Sequence, residues 1–454
     1  MNPFRENSRN QEEKGAWVVS VLMGLGHMRA AYALRDLAHK GLLMYGGRET
    51  TDKKERRFLK LIRSVYYFMS SAGNIPVFGV AVRNMLLKTL NIKPLYPVGD
   101  QSRASLGTVF LDRLIRKKNL GKILAGKLKN PGLPVINVFY STAMALEHHA
   151  GELDNYLVIC DADINRAWAP RDPSNSRIKY LAPCTRVKMR LMRYGVKEEN
   201  IYLTGFPLPK ENIGSAEEME TLKDDLYRRL RRLDPSGKFT SFHKDSIKHN
   251  LGKELNPEKA EDYFYLTFAV GGAGAHCGMI RQVIEGLRES ILDGRVRLNI
   301  SAGIKKDVFE STLRFINRAG LTDCINDTIK IVFDDDVYRY LDKFNSILRT
   351  TDILWTKPSE LSFYCGLGIP ILLAPAIGPH EEINRKWLQA VHTGIEPPGP
   401  VKYVNQWLFD LRDNGRFAEA AWDGFVKVRK LGAYEIENLI TEGHVTEREL
   451  AREA

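Results

Sequence analysis

Cysteine is scarce. The 454 residues hold five, Cys160, Cys184, Cys277, Cys324 and Cys365, scattered and with no CxxC pair. Such spacing excludes a disulfide framework and offers no thiolate zinc motif, and it fits a reducing, cytoplasmic setting. Long apolar runs are missing too: none approaches the ~18 residues that span a bilayer, so any membrane contact is expected to be peripheral. The opening "MNPFRENSRNQEEKG" is polar and has no apolar core, so no secretory signal is expected. Acids are the minority charge, 55 Asp and Glu against 67 Lys and Arg, for a net charge of +12. That balance suggests a negatively charged partner: nucleic acid, an anionic membrane face or a phosphorylated substrate. No nucleic-acid-binding module accompanies the charge, so nucleic acid is not expected.

What is present is alternation. Apolar runs that suit buried parallel strands recur at 17–23, 134–140, 156–160, 200–206, 263–270, 296–301, 329–333, 352–356 and 369–375. Helical-period segments separate them, which predicts parallel sheets covered on both faces. The pattern lapses over 212–260, a charged stretch that reads as a connection between domains. The spacing predicts an N-terminal Rossmann-like domain over 1–211, the connection over 212–260, a second such domain over 261–400, and closing helices over 401–454.

Three loops carry candidate chemistry. The first is "GLGH", with Gly24 and Gly26 opening a helix and His27 at its start. Glycines permit close backbone approach, and the helix start favours an anion. The dinucleotide fingerprint is incomplete, because Arg29 replaces its third glycine and no acid-ended second strand follows. A plain strand-to-helix turn accounts for the residues equally well. The second is "AVGGAGAHCG", where Gly271, Gly272 and Gly274 let backbone amides line a phosphate. It lacks the Lys-Ser/Thr of a P-loop. The third is "TKPSELSFYCGLGIPILLAPAIGPHEEIN": Ser359 and Glu360 open one helix, and His380, Glu381 and Asn384 open another. Glu360 either accepts from a ribose or merely complements the helix dipole.

These segments together resemble the glycosyltransferases of the monogalactosyldiacylglycerol synthase and peptidoglycan N-acetylglucosaminyltransferase group. The resemblance rests on GxGHxxAAxAL, the glycine loop near 271–274, KPS…GxP…PxxGPHExxN, and a middle stretch in which Asp161 and Trp168 match in type and spacing. It implies an α/β chain of GT-B type, two Rossmann-like domains whose parallel sheets face a cleft. It also implies inverting transfer from a nucleotide sugar, UDP being the expected nucleotide, with no essential metal and no cofactor. His27 falls at the family's N-terminal loop histidine, the three glycines at its phosphate loop, and His380, Glu381 and Asn384 at its sugar-holding cluster. The chain departs from the pattern twice: Phe363 stands where relatives carry a ribose-binding glutamate, and His380 replaces a glutamine.

His27 and Asp161 are both candidates for the base that takes the acceptor proton, and their residue types leave the choice open. No Asp-x-Asp follows the strand at the second glycine loop; "DAD" at 161–163 lies in the other half. Segments 56–69 and 111–130 interleave Lys and Arg with apolar residues, seven basic against one acidic in the second. Such helices suit an anionic bilayer, and equally an ordinary amphipathic helix with a solvated face. The expectation is a glycosyltransferase, peripheral to the membrane on its cytoplasmic side, acting on a lipid acceptor. The alternatives are a sugar-nucleotide epimerase of the same fold and a non-catalytic, membrane-associated relative.

Overall fold

In the computed structural model the run Trp17–Val21 forms strand β1, with all five side chains buried. A strand covered on both faces needs no polar alternation, which is why these runs are continuous in the sequence. The structure describes residues 15–21, 23–61, 92–255, 261–269, 277–376 and 378–446. The chain forms two compact units, one running to Leu208 and resuming at Leu431, the other spanning Pro209–Lys430.

In the first unit β1 is joined by β2 (Leu43–Tyr45), β3 (Val135–Asn137), β4 (Asn155–Val158), β5 (Lys179–Ala182) and β6 (Ile201–Leu203). All pairings are parallel, in the order β2-β1-β3-β4-β5-β6. Val19 lies opposite Leu43 on one side and Asn137 on the other, so the direction of winding reverses between β1 and β3. Trp17, Val19, Leu43, Leu124, Leu128, Val135 and Leu146 form one core cluster on this sheet. The helix Gly432–Thr441 returns to this unit. A Cβ at Gly432 would stand 2.3 Å from the Phe206 carbonyl oxygen, so only glycine allows that approach.

The second unit holds β7 (Phe264–Ala269), β8 (Val296–Gly303), β9 (Ile329–Phe333), β10 (Ile353–Thr356), β11 (Ile371–Leu373) and β12 (Gly394–Ile395). Read from one edge, the sheet runs β9-β8-β7-β10-β11-β12, all parallel. That is the 3-2-1-4-5-6 order of the Rossmann fold, with the reversal between β7 and β10. Phe268 and Trp355 meet edge to face at 5.6 Å across those two central strands. The expected class, α/β with two Rossmann-like units of parallel strands, is the one the chain adopts.

Boundaries differ from those the spacing predicts. Residues 212–251 belong to the second unit, where the helices Glu220–Leu233 and Lys238–Leu251 pack. Arg229 is fully buried and donates to the carbonyls of Thr351 (2.8 Å), Leu367 (3.0 Å) and Gly368 (3.1 Å). Arg232 grips buried Asp352 through two bonds of 2.7 and 2.8 Å. These arginines satisfy carbonyls and a carboxylate beside the sheet, so their charge is structural. The closing helices also divide: Val404–Asp413 and Arg416–Lys427 stay with the second unit, Gly432–Thr441 with the first. β2 exists, three residues long, but it ends on Tyr45-Gly46 with no acid for a ribose.

Candidate functional site

Ligands in open α/β sheets sit beyond the carboxyl ends of strands where the winding reverses. In the first unit that place is shared by the loops after β1 and β3. Gly24, at φ 134°, turns the chain from β1 into the helix Leu25–Ala33. A side chain there would be strained, although nothing lies within 4 Å of where its Cβ would stand. Gly26 and His27 follow in the first turn of that helix, and His27 is half-buried. Its imidazole meets Phe139, which follows β3, edge to face at 5.0 Å, and Trp168 at 6.4 Å. Tyr140 completes the group, 4.5 Å from Phe139 and 5.1 Å from Trp168. Phe139 and Tyr140 are half-buried too, so the histidine stands among rings that line the end of the sheet.

The Trp168 loop is held firmly. Buried Arg166 donates to the carbonyls of Ser102 (2.7 Å) and Ala169 (2.7 Å), and Tyr180 donates its hydroxyl to the Trp168 carbonyl at 3.2 Å. Burial lowers the Arg166 guanidinium from its ordinary value.

Asp161 lies half-buried just past β4, one strand further along than β3. Its neighbour in "DAD" has another task. Asp163 is buried, and its carboxylate takes Arg190 at 2.8 and 2.9 Å and Arg186 at 2.9 Å. Both arginines sit at i, i+4 on the helix Thr185–Arg193, a spacing visible in the sequence. With both carboxylate oxygens engaged, Asp163 is a buried structural anion. Among the described residues no three His, Cys, Asp or Glu side chains gather as a metal site requires.

In the second unit the reversal lies between β7 and β10. Gly271, Gly272 and Gly274 fall outside the described residues; the helix after them begins at Cys277. After β10 the chain runs through Lys357, Pro358 and Ser359 into Glu360–Leu367, where the expected helix is of 3₁₀ type. Ser359 and Glu360 are half-buried at its start. Phe363 is buried against Trp387, ring centroids 5.0 Å apart, so the position of the family's ribose acid is occupied by core.

After β11 comes the helix Pro379–Ala390 with His380, Glu381 and Asn384. Glu381 is buried and accepts from the Lys357 ammonium. His380 is more open, its Nε2 3.9 Å from the same carboxylate. Asn384, fully buried, donates Nδ2 to the Pro358 carbonyl at 3.3 Å. The structure thus brings the predicted cluster onto the β10 loop. Lys357, its partner there, is the residue the motif reading passed over, though it stands directly before Pro358 and Ser359.

A family model described as a domain of unknown function (DUF6938) matches residues 304–435. No curated protein matches the chain. Among solved structures the chain is similar to an Acinetobacter baumannii MurG, at 14% identity over 94% of this chain and 99% of that one, with a TM-score of 0.47. It is similar also to an S. aureus MnaA–UDP co-structure, at 13% identity, 95% and 96% coverage and a TM-score of 0.45. A third is a Neisseria meningitidis UDP-GlcNAc 2-epimerase bound to UDP-GlcNAc, at 11% identity, 94% and 99% coverage and a TM-score of 0.43.

Proposed function

We propose that this chain is an inverting, metal-independent glycosyltransferase that moves a sugar from a UDP-sugar to an acceptor hydroxyl of a lipid at a membrane face. One observation carries the reading. The motifs that resemble the glycosyltransferase group, as far as they are described, fall after the carboxyl ends of strands that border the two winding reversals or lie one strand beyond them. His27 follows β1, Lys357 to Glu360 follow β10, and His380 to Asn384 follow β11.

In this reading the second unit holds the donor and the first binds the acceptor. The acceptor oxygen attacks the anomeric carbon as its proton passes to His27 or Asp161. The bond from that carbon to the diphosphate oxygen breaks, and the electron pair leaves with UDP. Backbone amides and helix starts stabilise the charge that develops on the leaving group.

The membrane part of the proposal rests on the stretch 96–123. Tyr96, Val98, Leu106, Phe110 and Ile123 are exposed there among exposed Arg103, Arg113, Arg116, Lys117, Lys118 and Lys122. The predicted basic helix over 111–130 breaks at Asn119 and Gly121 into Leu106–Lys118 and Lys122–Leu128. Only Thr108 and Ile115 of the first are buried. Of the segment 56–69, residues beyond 61 lie outside the described ones. No helix among the described residues is long and apolar enough to cross a membrane.

The test incubates the full chain with UDP-glucose, UDP-galactose or UDP-GlcNAc, with and without phosphatidylglycerol vesicles that carry diacylglycerol. A transferase releases UDP, faster with vesicles, and keeps its rate in a chelator. Epimerised sugar with no UDP released identifies an epimerase instead. Neither product identifies a non-catalytic relative.

A further inference from the structure

The ion pair between Lys357 and Glu381 joins two successive crossovers of the second sheet. Lys357 follows β10 directly, and Glu381 lies in the first turn of the helix after β11. Their side chains are 17% and 3% exposed. Withdrawing an ammonium and a carboxylate from water is costly, and a well-packed apolar pair of similar volume stabilises as much or more. Stability alone therefore gives a poor account of the pair.

Its place gives a better one. β10 borders β7 at the winding reversal, so Lys357 stands where an open α/β sheet receives its ligand. One helix fixes that step of chain twice: Glu381 takes the Lys357 ammonium, and Asn384, three residues on, holds the Pro358 carbonyl. Side chain and main chain are both set by residues that are themselves buried. An arrangement of this kind orients a charge in advance of use.

We infer that Lys357 is the cation that meets the diphosphate of the nucleotide, and that Glu381 and Asn384 are positioning residues for it. This assignment rests on the donor reading above, and it departs from what the family resemblance implies for Glu381 and Asn384, which is direct contact with the sugar. An ammonium is a compact point charge that suits a phosphate oxygen. Glu381 fixes its direction, and the more open His380 adjoins the same carboxylate. When the glycosyl bond breaks, negative charge grows on the diphosphate beside an ammonium already in place.

The experiment is calorimetry on the full chain with uridine, UMP, UDP and a UDP-sugar. For Lys357→Met the dissociation constant of UDP should rise about 10- to 100-fold, the worth of one hydrogen bond to a charged group. Uridine should bind as before. Glu381→Gln should weaken UDP and spare uridine in the same way. If Glu381 instead held the sugar, Glu381→Gln would weaken the UDP-sugar and leave UDP untouched, which overturns the inference.

Unchanged UDP affinity in Lys357→Met overturns it as well, with the donor reading intact. A wild-type chain that binds neither UDP nor any UDP-sugar removes both. Should a single variant fail to fold, the double variant Lys357→Met with Glu381→Leu leaves no orphan charge. It is expected to fold, bind uridine and lose the diphosphate increment; a double variant that binds UDP normally defeats the proposal.

Discussion

At the scale of single residues, His27 and the aspartates of "DAD" show how much context decides. His27 follows a turn that needs glycine and faces Phe139 and Trp168 at the end of a sheet, a position where an imidazole can take a proton from a bound hydroxyl. Its replacement by alanine should lower kcat by roughly 10²- to 10⁴-fold, the usual loss of a general base. UDP affinity should stay near the wild-type value, because the residues proposed to hold the donor belong to the other unit. If His27 merely packs against the rings, the variant loses melting temperature while the folded fraction keeps its kcat. Asp161→Asn runs beside it, and whichever substitution stops turnover with fold and donor affinity spared identifies the base. Two near-normal variants would remove both residues from the mechanism. Asp163 differs from Asp161 by two positions, yet its carboxylate is spent on Arg186 and Arg190. Residue type alone could not separate these aspartates; the i, i+4 arginines could have.

Elements were legible in proportion to their length and their burial. Runs such as Phe264–Ala269 and Ile353–Thr356 are read directly because strands covered on both faces are apolar throughout. β2 and β12, three and two residues long, carry too few side chains for a pattern. The place of the helix Glu220–Leu233 in the second unit is hidden for a different reason. The charge of "YRRLRRL" suits a connection between domains, whereas Arg229 and Arg232 spend their guanidinium donors on buried carbonyls and on Asp352. Burial lowers Arg229 to about 10, so it remains charged at neutral pH. Arg229→Met should cost about 1–3 kcal/mol, because it leaves buried carbonyls without a donor. Arg229→Lys should recover only part, since an ammonium cannot serve the same fork of acceptors. Urea unfolding of the full chain measures both. A change below about 0.5 kcal/mol, typical of a solvated surface residue, would return this helix to the role of a connection.

For the molecule as a whole, the surplus of positive charge asks for a surface to meet it. The stretch 96–123 combines exposed rings and aliphatics with six exposed Lys and Arg, an arrangement that water alone does not favour. Leu106 is 84% exposed and Phe110 66%, so aspartate at both positions removes little packing and should leave the melting temperature nearly unchanged. Each of those side chains would gain about 1.5–3 kcal/mol on full burial in a bilayer. Each nearby basic residue adds about 1 kcal/mol against an anionic leaflet. The full chain should therefore co-sediment with phosphatidylglycerol vesicles, bind phosphatidylcholine vesicles weakly, and come off as salt is raised. Leu106→Asp with Phe110→Asp should weaken vesicle binding at least about 10-fold, the equivalent of 1.4 kcal/mol. Vesicle-stimulated UDP release should fall with it, while UDP affinity measured without vesicles stays constant, since these residues lie outside the unit proposed to hold the donor. Equal binding to both lipids, or a double variant that sediments like the wild type, would mean that the basic face is merely solvated and that the acceptor reaches His27 from solution.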